Sequence, residues 1–549
     1  MSRIHLLYLL LMLVFSCKSK QEVDFIVQDA IIYTVDSSFS KASSFAVKDG
    51  KFVAIGTDEE IMSNYTSKNI MDAQQKTILP GFYDAHCHYY TLGKLLNELD
   101  LTTFESFEQL LSNLKIYAQK KRSGGWIIGR GWTENKWKEK IYPTKEKIDK
   151  MFPKTPVFLT RIDGHAALVN QVALDLAKIT TNTKIEGGQI EIKNGKLTGI
   201  LTNNAMNLVR NLIPEPSLEE KKEMLLHAQE VCFSKGLTTI SDAGMDKSTV
   251  ELIDQMQKDK TLKIRIYAML NPTEENKAYF LKKGIYKTDR LNVRAFKFYI
   301  DGSLGSRGAL LLKPYNDDPK RIGSLVTPRE KLKADFEEMF AKGFQASADC
   351  VGDSANRMVL NLYGEVLKTQ NDRRWRIEHV QTIDSSDVVK FKNFSVIPSV
   401  QPTHCISDMV WAGERLGNDR LKKSYAYKFL SEQSKYIAFG SDFPVVDADP
   451  IYTFHAAIAR QDSEHSPEDG FQAENGLDKN TAIKAMTIWA AYTNFEDLER
   501  GSIEKGKMAD FIILDTDLLD TDPRLLRLSK VLNTFVGGEK VFSNYESGY

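Results

Sequence analysis

His86 and His88 stand two residues apart at the end of Leu79-Pro80-Gly81-Phe82-Tyr83-Asp84-Ala85-His86-Cys87-His88. Leu-Pro-Gly reads as a turn that launches a short apolar strand, and side chains two apart on a strand share a face. The two imidazoles then point together while Cys87 points away, and such a pair can hold a divalent metal ion. Alone, a His-x-His pair is better explained by two hydrogen-bonded histidines, so the weight falls on later segments. In Phe296-Lys297-Phe298-Tyr299-Ile300-Asp301 the alternation puts Lys297, Tyr299 and Asp301 on one face. A lysine aimed into an interior cannot stay unpaired, because burying a bare charge is costly. It must meet a carboxylate such as Asp301 or Asp349, or become carbamylated and bridge metal ions. His379 closes Arg376-Ile377-Glu378-His379, and Asp442 closes Phe439-Gly440-Ser441-Asp442. Nitrogen and oxygen donors of this kind suit zinc first, as one ion or two, with iron, manganese or nickel as alternatives.

These residues need a scaffold that brings distant strand ends together. Eight stretches read as strands: Phe82–His88, Thr238–Asp242, Arg265–Leu270, Ala295–Asp301, Phe344–Asp349, Trp375–Val380, Ser395–Gln401 and Ile437–Asp442. All but Arg265–Leu270 end at or beside a residue capable of chemistry. An α/β fold of the (β/α)8 TIM-like barrel type collects its site at the C-terminal strand ends, which is what this placement requires. The barrel is expected over 81–98 and 236–499. The stretch 99–235 is too long for one strand-to-helix connection and reads as an inserted subdomain capping the barrel mouth. Short alternating runs in 22–80 and 500–549 read as a small β-sandwich built from both ends of the chain.

Composition bounds the partners. Lys+Arg and Asp+Glu each total 73, so the net charge is zero. That argues against nucleic acid as a partner. The apolar run Leu6–Phe15 behind Arg3 is too short to span a bilayer and fits a secretory signal. It ends Leu13-Val14-Phe15-Ser16-Cys17, the pattern of a bacterial lipobox, so 1–17 is expected to be a lipoprotein signal with Cys17 lipidated. The expected location is the bacterial cell envelope, on its periplasmic or outer-surface face, with a lipid anchor to the membrane. The remaining cysteines, Cys87, Cys232, Cys350 and Cys405, show no framework spacing, so a disulfide scaffold is not expected.

With these motifs in order, the chain resembles the metal-dependent amidohydrolase superfamily, and within it amidohydrolase family 3, the YtcJ-like proteins related to N-substituted formamide deformylase. The likeness runs from Leu79–His88 through Arg161-Ile162-Asp163-Gly164-His165, Glu186-Gly187-Gly188 and Asp301-Gly302-Ser303-Leu304-Gly305-Ser306-Arg307. It continues with Ile377–Gln381, Ser399-Val400-Gln401-Pro402-Thr403-His404, Gly440–Pro444 and Gly501–Asp510. The resemblance implies His86, His88, Lys297, His379 and Asp442 as metal-site residues, and His165 with the Asp301–Arg307 loop as substrate-facing. Asp301, Ser303, Arg307 and Gln401 are the expected substrate contacts. His404 reads either as a group reaching substrate or as a hydrogen-bonded rim histidine. His227, His455 and His465 have no strand-end context and read as packing or surface residues. The family's fifth strand usually ends in a histidine within His-Ala-x-Gly-Asp. Here the matching segment is Asp349-Cys350-Val351-Gly352-Asp353. Asp349 could ligate through oxygen, or its presence could leave a single-ion or metal-free site.

The expected function is hydrolysis of a C–N bond in a small molecule (an amide, formamide or cyclic amide) by metal-activated water. Asp442 would serve as general base and then acid, with His165 or His404 stabilising the oxyanion. One rival is a degenerate, non-catalytic small-molecule-binding envelope lipoprotein, which Asp349 favours. Another keeps the metal site for isomerase or lyase chemistry. The sequence leaves a homo-oligomer open.

Overall fold

The computed structural model describes residues 20–120, 125–162, 164–185 and 187–544. The expected signal at 1–17, with Cys17, lies outside them. They form two compact units, one taking in the chain up to His88 and again from Glu230 onward, the other Tyr89–Gln229.

In the first unit, eight strands pair in parallel in chain order. They are β1 (Phe82–Cys87), β2 (Leu237–Met245), β3 (Arg265–Leu270), β4 (Leu291–Tyr299), β5 (Gln345–Cys350), β6 (Arg376–His379), β7 (Ile397–Val400) and β8 (Ala438–Phe439). Most of their residues are buried, as expected of parallel strands covered on both faces. The ring is completed by main-chain bonds between its last and first segments. Asp442 N donates to His86 O at 2.8 Å, and His88 N donates to Phe443 O at 2.7 Å. Gly440 permits this approach, because a Cβ there would stand 2.5 Å from the His86 nitrogen. The expected barrel is therefore present, with all eight strands where the sequence placed them.

Two strand ends differ from expectation at the site itself. β4 stops at Tyr299, so Asp301 begins a loop rather than continuing the alternation. β8 is only two residues long, and Asp442 lies beyond it with a positive φ of 66°.

The same unit contains, besides the short pair Gln21–Glu22 with Tyr65–Thr66, two larger sheets, of which one draws on both ends of the chain. One has four strands from Phe25–Asp72; the other has six and joins Ile31–Tyr33, Lys41–Ala42 and Thr77–Pro80 to Phe511–Leu514, Val531–Val536 and Glu539–Ser543. Their shared core includes Phe45, Phe52, Ile78, Phe511 and Phe535, with Phe511 and Phe535 stacked at 4.3 Å. Arg265, on β3, ties the barrel to this core through a buried bidentate pair with Asp510.

The second unit carries its own six-stranded mixed sheet, in the order Leu99–Asp100, Ile127–Trp132, Val157–Arg161, Ala166–Val169, Lys196–Asn203, Gly188–Lys193. Leu110, Trp132, Trp137, Ile148 and Leu159 fill one of its cores. Among the described residues no helix is long and apolar enough to cross a membrane. Cys87, Cys232, Cys350 and Cys405 are buried free thiols, in line with the absence of a disulfide framework.

Candidate metal centre

β1 delivers His86, fully buried, and His88 follows directly after it, about a third exposed. The Asp442 carboxylate comes in from beyond β8. Its Oδ1 lies 3.1 Å from His88 Nε2 and 3.6 Å from His86 Nε2, while its Oδ2 lies 3.5 Å from His404 Nε2. One donor atom from each of His86, His88 and Asp442 lies within 4.8 Å of the others, and the same holds for His379, His404 and Asp442. Groups more than 350 residues apart in the chain thus converge at one barrel end.

The donors fit a divalent cation. Buried polar groups are nearly always hydrogen-bonded, yet Asp442 Oδ1, Asp349 Oδ1, His379 Nδ1 and His404 Nε2 are buried without such a bond among the described residues. Asp349 Oδ1 stands 2.6 Å from His379 Nε2, close but not directed as a hydrogen bond. Lone pairs crowded together and left unsatisfied are what a cation would relieve, and imidazole with carboxylate suits zinc.

Electrostatics prepare the imidazoles unequally. Burial, with the Lys297 charge beside it, brings His86 down to about 4, and burial brings His404 down to about 4. Both are neutral at pH 7 and keep a lone pair for ligation. For His379 burial also acts downward, but the Asp349 carboxylate against it prevails and lifts it to about 9. Burial would raise Asp442, yet the His88 contact and the surrounding histidines hold its carboxyl well below the usual carboxylate range. Asp442 is therefore ionised throughout the neutral range.

Backbone strain gathers at the same place. His379 has φ of 69°, the β-branched Val380 46° and Asp442 66°. Left-handed conformations at such residues cost on the order of 1–3 kcal/mol each and persist where the surroundings impose them, typically at functional sites.

Lys297 is wholly buried on β4. Its Nζ lies 3.3 Å from Asp349 Oδ2 and 3.3 Å from His86 Nε2. The carboxylate beside it is Asp349. Asp349 itself is held well below the usual range, burial being outweighed by His379 and Lys297.

Two positioning carboxylates escaped the sequence reading. Glu378 Oε2 lies 2.8 Å from His86 Nδ1 and leaves Nε2 to face the centre. Arg376 holds Glu378 in turn and donates to Ala85 O and Ser399 Oγ, all out of contact with solvent. Asp84 accepts from the main-chain N–H groups of His86 and Ser441 and so locks β1 to the Asp442 segment. A ligating histidine whose second nitrogen meets a carboxylate is fixed in tautomer and orientation, and loss of that partner typically costs 10–100-fold in metal affinity. Glu378→Gln is accordingly expected to weaken zinc binding by about 10–100-fold; competitive titration against a chromophoric chelator measures it, and an unchanged affinity would remove Glu378 from this role.

The expected substrate contacts divide. Asp301 is not offered to a ligand: Oδ1 accepts from Val351 N (3.0 Å) and Oδ2 from Leu310 N (2.7 Å) and Gly352 N (2.9 Å), so the carboxylate staples its loop to the end of β5. Burial of this carboxyl lifts it to about 7, against the pull of those three N–H groups. Arg307 forms a bidentate pair with Asp317, and Ser303 Oγ lies 2.8 Å from Ser306 Oγ. Gln401 is buried, with Oε1 unbonded among the described residues. His165 belongs to the other unit, where Nδ1 lies 3.1 Å from Asn203 Oδ1 beside a small cavity that Tyr142, Gly188 and Thr202 also line. His404, expected either to reach substrate or to be a hydrogen-bonded rim histidine, stands buried beside His379 and Asp442, with Nδ1 3.3 Å from Gln381 Nε2.

Comparison with known proteins agrees with this geometry. The profile of the amidohydrolase family matches residues 69–542. The chain is 30% identical over 538 residues to Protein LONG AFTER FAR-RED 3 of Arabidopsis thaliana, covering 94% of this chain and 91% of that one. It is 23% identical to N-substituted formamide deformylase of Arthrobacter pascens over 547 residues, covering 94% and 97%. A solved structure of an uncharacterized metal-dependent hydrolase from Pyrococcus horikoshii OT3 superposes with a TM-score of 0.76 at 27% identity, covering 91% of this chain and 99% of that one. An eight-stranded parallel ring, strand-end histidines converging on one aspartate, and a family match over most of the length lead to one conclusion: the chain belongs to the amidohydrolase family.

Proposed function

We propose that this protein is a metal-dependent hydrolase that cleaves a C–N bond (amide, formamide or cyclic amide) in a small molecule. The observation that carries the reading is the meeting of His86, His88 and Asp442 at one point at the barrel end, with Asp442 Oδ1 buried and without a hydrogen bond among the described residues. The choice of a C–N bond is supported by the likeness to a formamide deformylase along nearly the whole chain. His86, His88 and Asp442 would hold the ion, which we take to be zinc from the donor set. When bound, a divalent ion supplies Lewis acidity and makes water reactive near neutral pH.

The chain's own groups do the rest. The Asp442 carboxylate, ionised at working pH, takes a proton from the attacking water and passes it to the leaving nitrogen. Glu378 keeps His86 in the tautomer that presents Nε2. Asp349 balances the charge of Lys297, so no bare cation is buried beside the reacting groups. We further propose that residues 1–17 direct the protein to the bacterial cell envelope and that Cys17 carries its lipid anchor. Radiolabelled fatty acid incorporation, abolished by Cys17→Ser, tests that part.

The enzymatic part is tested on the purified full chain with a panel of N-substituted amides, formamides and cyclic amides. Amine release is expected, lost after exhaustive chelation and restored by adding zinc. The binding-relic reading, which Asp349 favours, predicts ligand binding without turnover, unchanged by chelation.

A further inference from the structure

Asp442 presents one oxygen to each of two donor groups. Oδ1 faces His88 and His86; Oδ2 faces His404. The His404 ring lies nearly parallel to that of His379, at 11° with centroids 5.8 Å apart. His404 Nδ1 stands 3.3 Å from the Gln381 side-chain amide, which orients the ring. Its Nε2 is buried, has no hydrogen-bond partner among the described residues and is the atom nearest Asp442. Two imidazoles and one carboxylate oxygen with mutual distances inside 4.8 Å are a three-ligand set of the kind that leaves a coordination position open.

The group that stands where the family carries its fifth-strand histidine is occupied differently. Asp349 Oδ2 lies 3.3 Å from Lys297 Nζ, and its Oδ1 lies 2.6 Å from His379 Nε2. A carboxylate whose two oxygens already stand against Lys297 Nζ and His379 Nε2 is a poor anchor for a further ion.

We propose that His404 is a metal ligand, that His379, His404 and Asp442 form a second cation position, and that Asp349 is the counter-ion of Lys297, standing beside His379 Nε2, rather than a ligand. The inference rests on the metal-dependent reading above and adds to it where the second ion sits and which residue replaces the missing histidine.

The test uses the full chain, stripped by chelation, reloaded with zinc and freed of excess, with bound metal counted by mass spectrometry. Wild type is expected to hold two ions, His404→Asn and His404→Gln one each, and Asp349→Asn two. The second dissociation constant should rise more than about 100-fold in the His404 variants, since loss of a ligand exceeds the 10–100-fold typical of a supporting contact. Thermal melting by circular dichroism reports whether each variant folds. Cobalt(II) titration of wild type gives an answer without any variant: two successive steps in the visible bands are expected, and a single step contradicts the second position. Folded His404 variants that keep two ions, or an Asp349→Asn variant that loses one, overturn the assignment. A wild type with one ion overturns the second position alone. A wild type that binds none overturns the metal reading beneath it as well.

Discussion

Asp442→Asn should lower kcat/KM by about 10⁴-fold or more while the protein stays folded. General acid–base transfer alone is worth roughly 10²–10⁴-fold, and here the same carboxylate also stands at the junction of both donor groups, so its loss compounds. The side chain is close to isosteric, and the main-chain bond from Asp442 N to His86 O does not depend on its charge. Loss of activity with an unchanged melting temperature separates a chemical role from a structural one. Activity within about tenfold of wild type, well inside the span of acid–base effects, would mean that some other group handles the proton.

The largest expected effect on stability lies away from the site. Arg265 on β3 meets Asp510 with Nε at 2.7 Å and Nη2 at 3.0 Å, both side chains being almost fully buried. Asp510 Oδ1 also accepts from Gly537 N, and Arg265 Nη1 donates to Asp289 O. Removing one partner of such a pair leaves the other as an uncompensated buried charge, at a cost of about 3–5 kcal/mol. Asp510→Asn is therefore expected to destabilise the barrel and its terminal sheets by that amount at pH 7, read by urea denaturation.

The pH dependence gives the prediction its sign. Burial would raise the Asp510 carboxyl, but Arg265 and Arg500 bring it below the ordinary value. A carboxyl depressed in the folded state contributes stability above the unfolded pKa, about 3.9, and loses it as pH falls through the folded value. The gap between wild type and Asp510→Asn should hold from neutral pH to about 4 and narrow below it. A gap that widens on acidification would contradict the assignment.

Much of this arrangement is legible before any coordinates. Leu79-Pro80-Gly81 followed by an apolar run and His-x-His signals a buried strand ending in ligands, because turn chemistry and alternation are local. The eight barrel strands stand out for the same reason. What the sequence conceals is whatever depends on leaving the strand. Strict alternation sends Glu378 and His379 to opposite faces, so only His379 reads as functional. The positive φ at His379 breaks the alternation, and both side chains reach the centre, Glu378 through His86. Alternation likewise groups Asp301 with Lys297, whereas β4 ends at Tyr299 and Asp301 bonds to main chain instead. His404 stands in a helix, Pro402–Asp408, that follows β7, where spacing along a strand says nothing about direction. Its approach to Asp442 is a long-range fact of closure, as are the bonds between the Asp442 segment and β1.

The central claim is that a cation is held where His86, His88 and Asp442 meet. Anomalous diffraction from crystals of the zinc-loaded protein, collected on both sides of the zinc absorption edge, tests it most directly. A peak bounded by those three residues is the predicted result; density without an edge-dependent peak there, or a peak only elsewhere in the molecule, would contradict it.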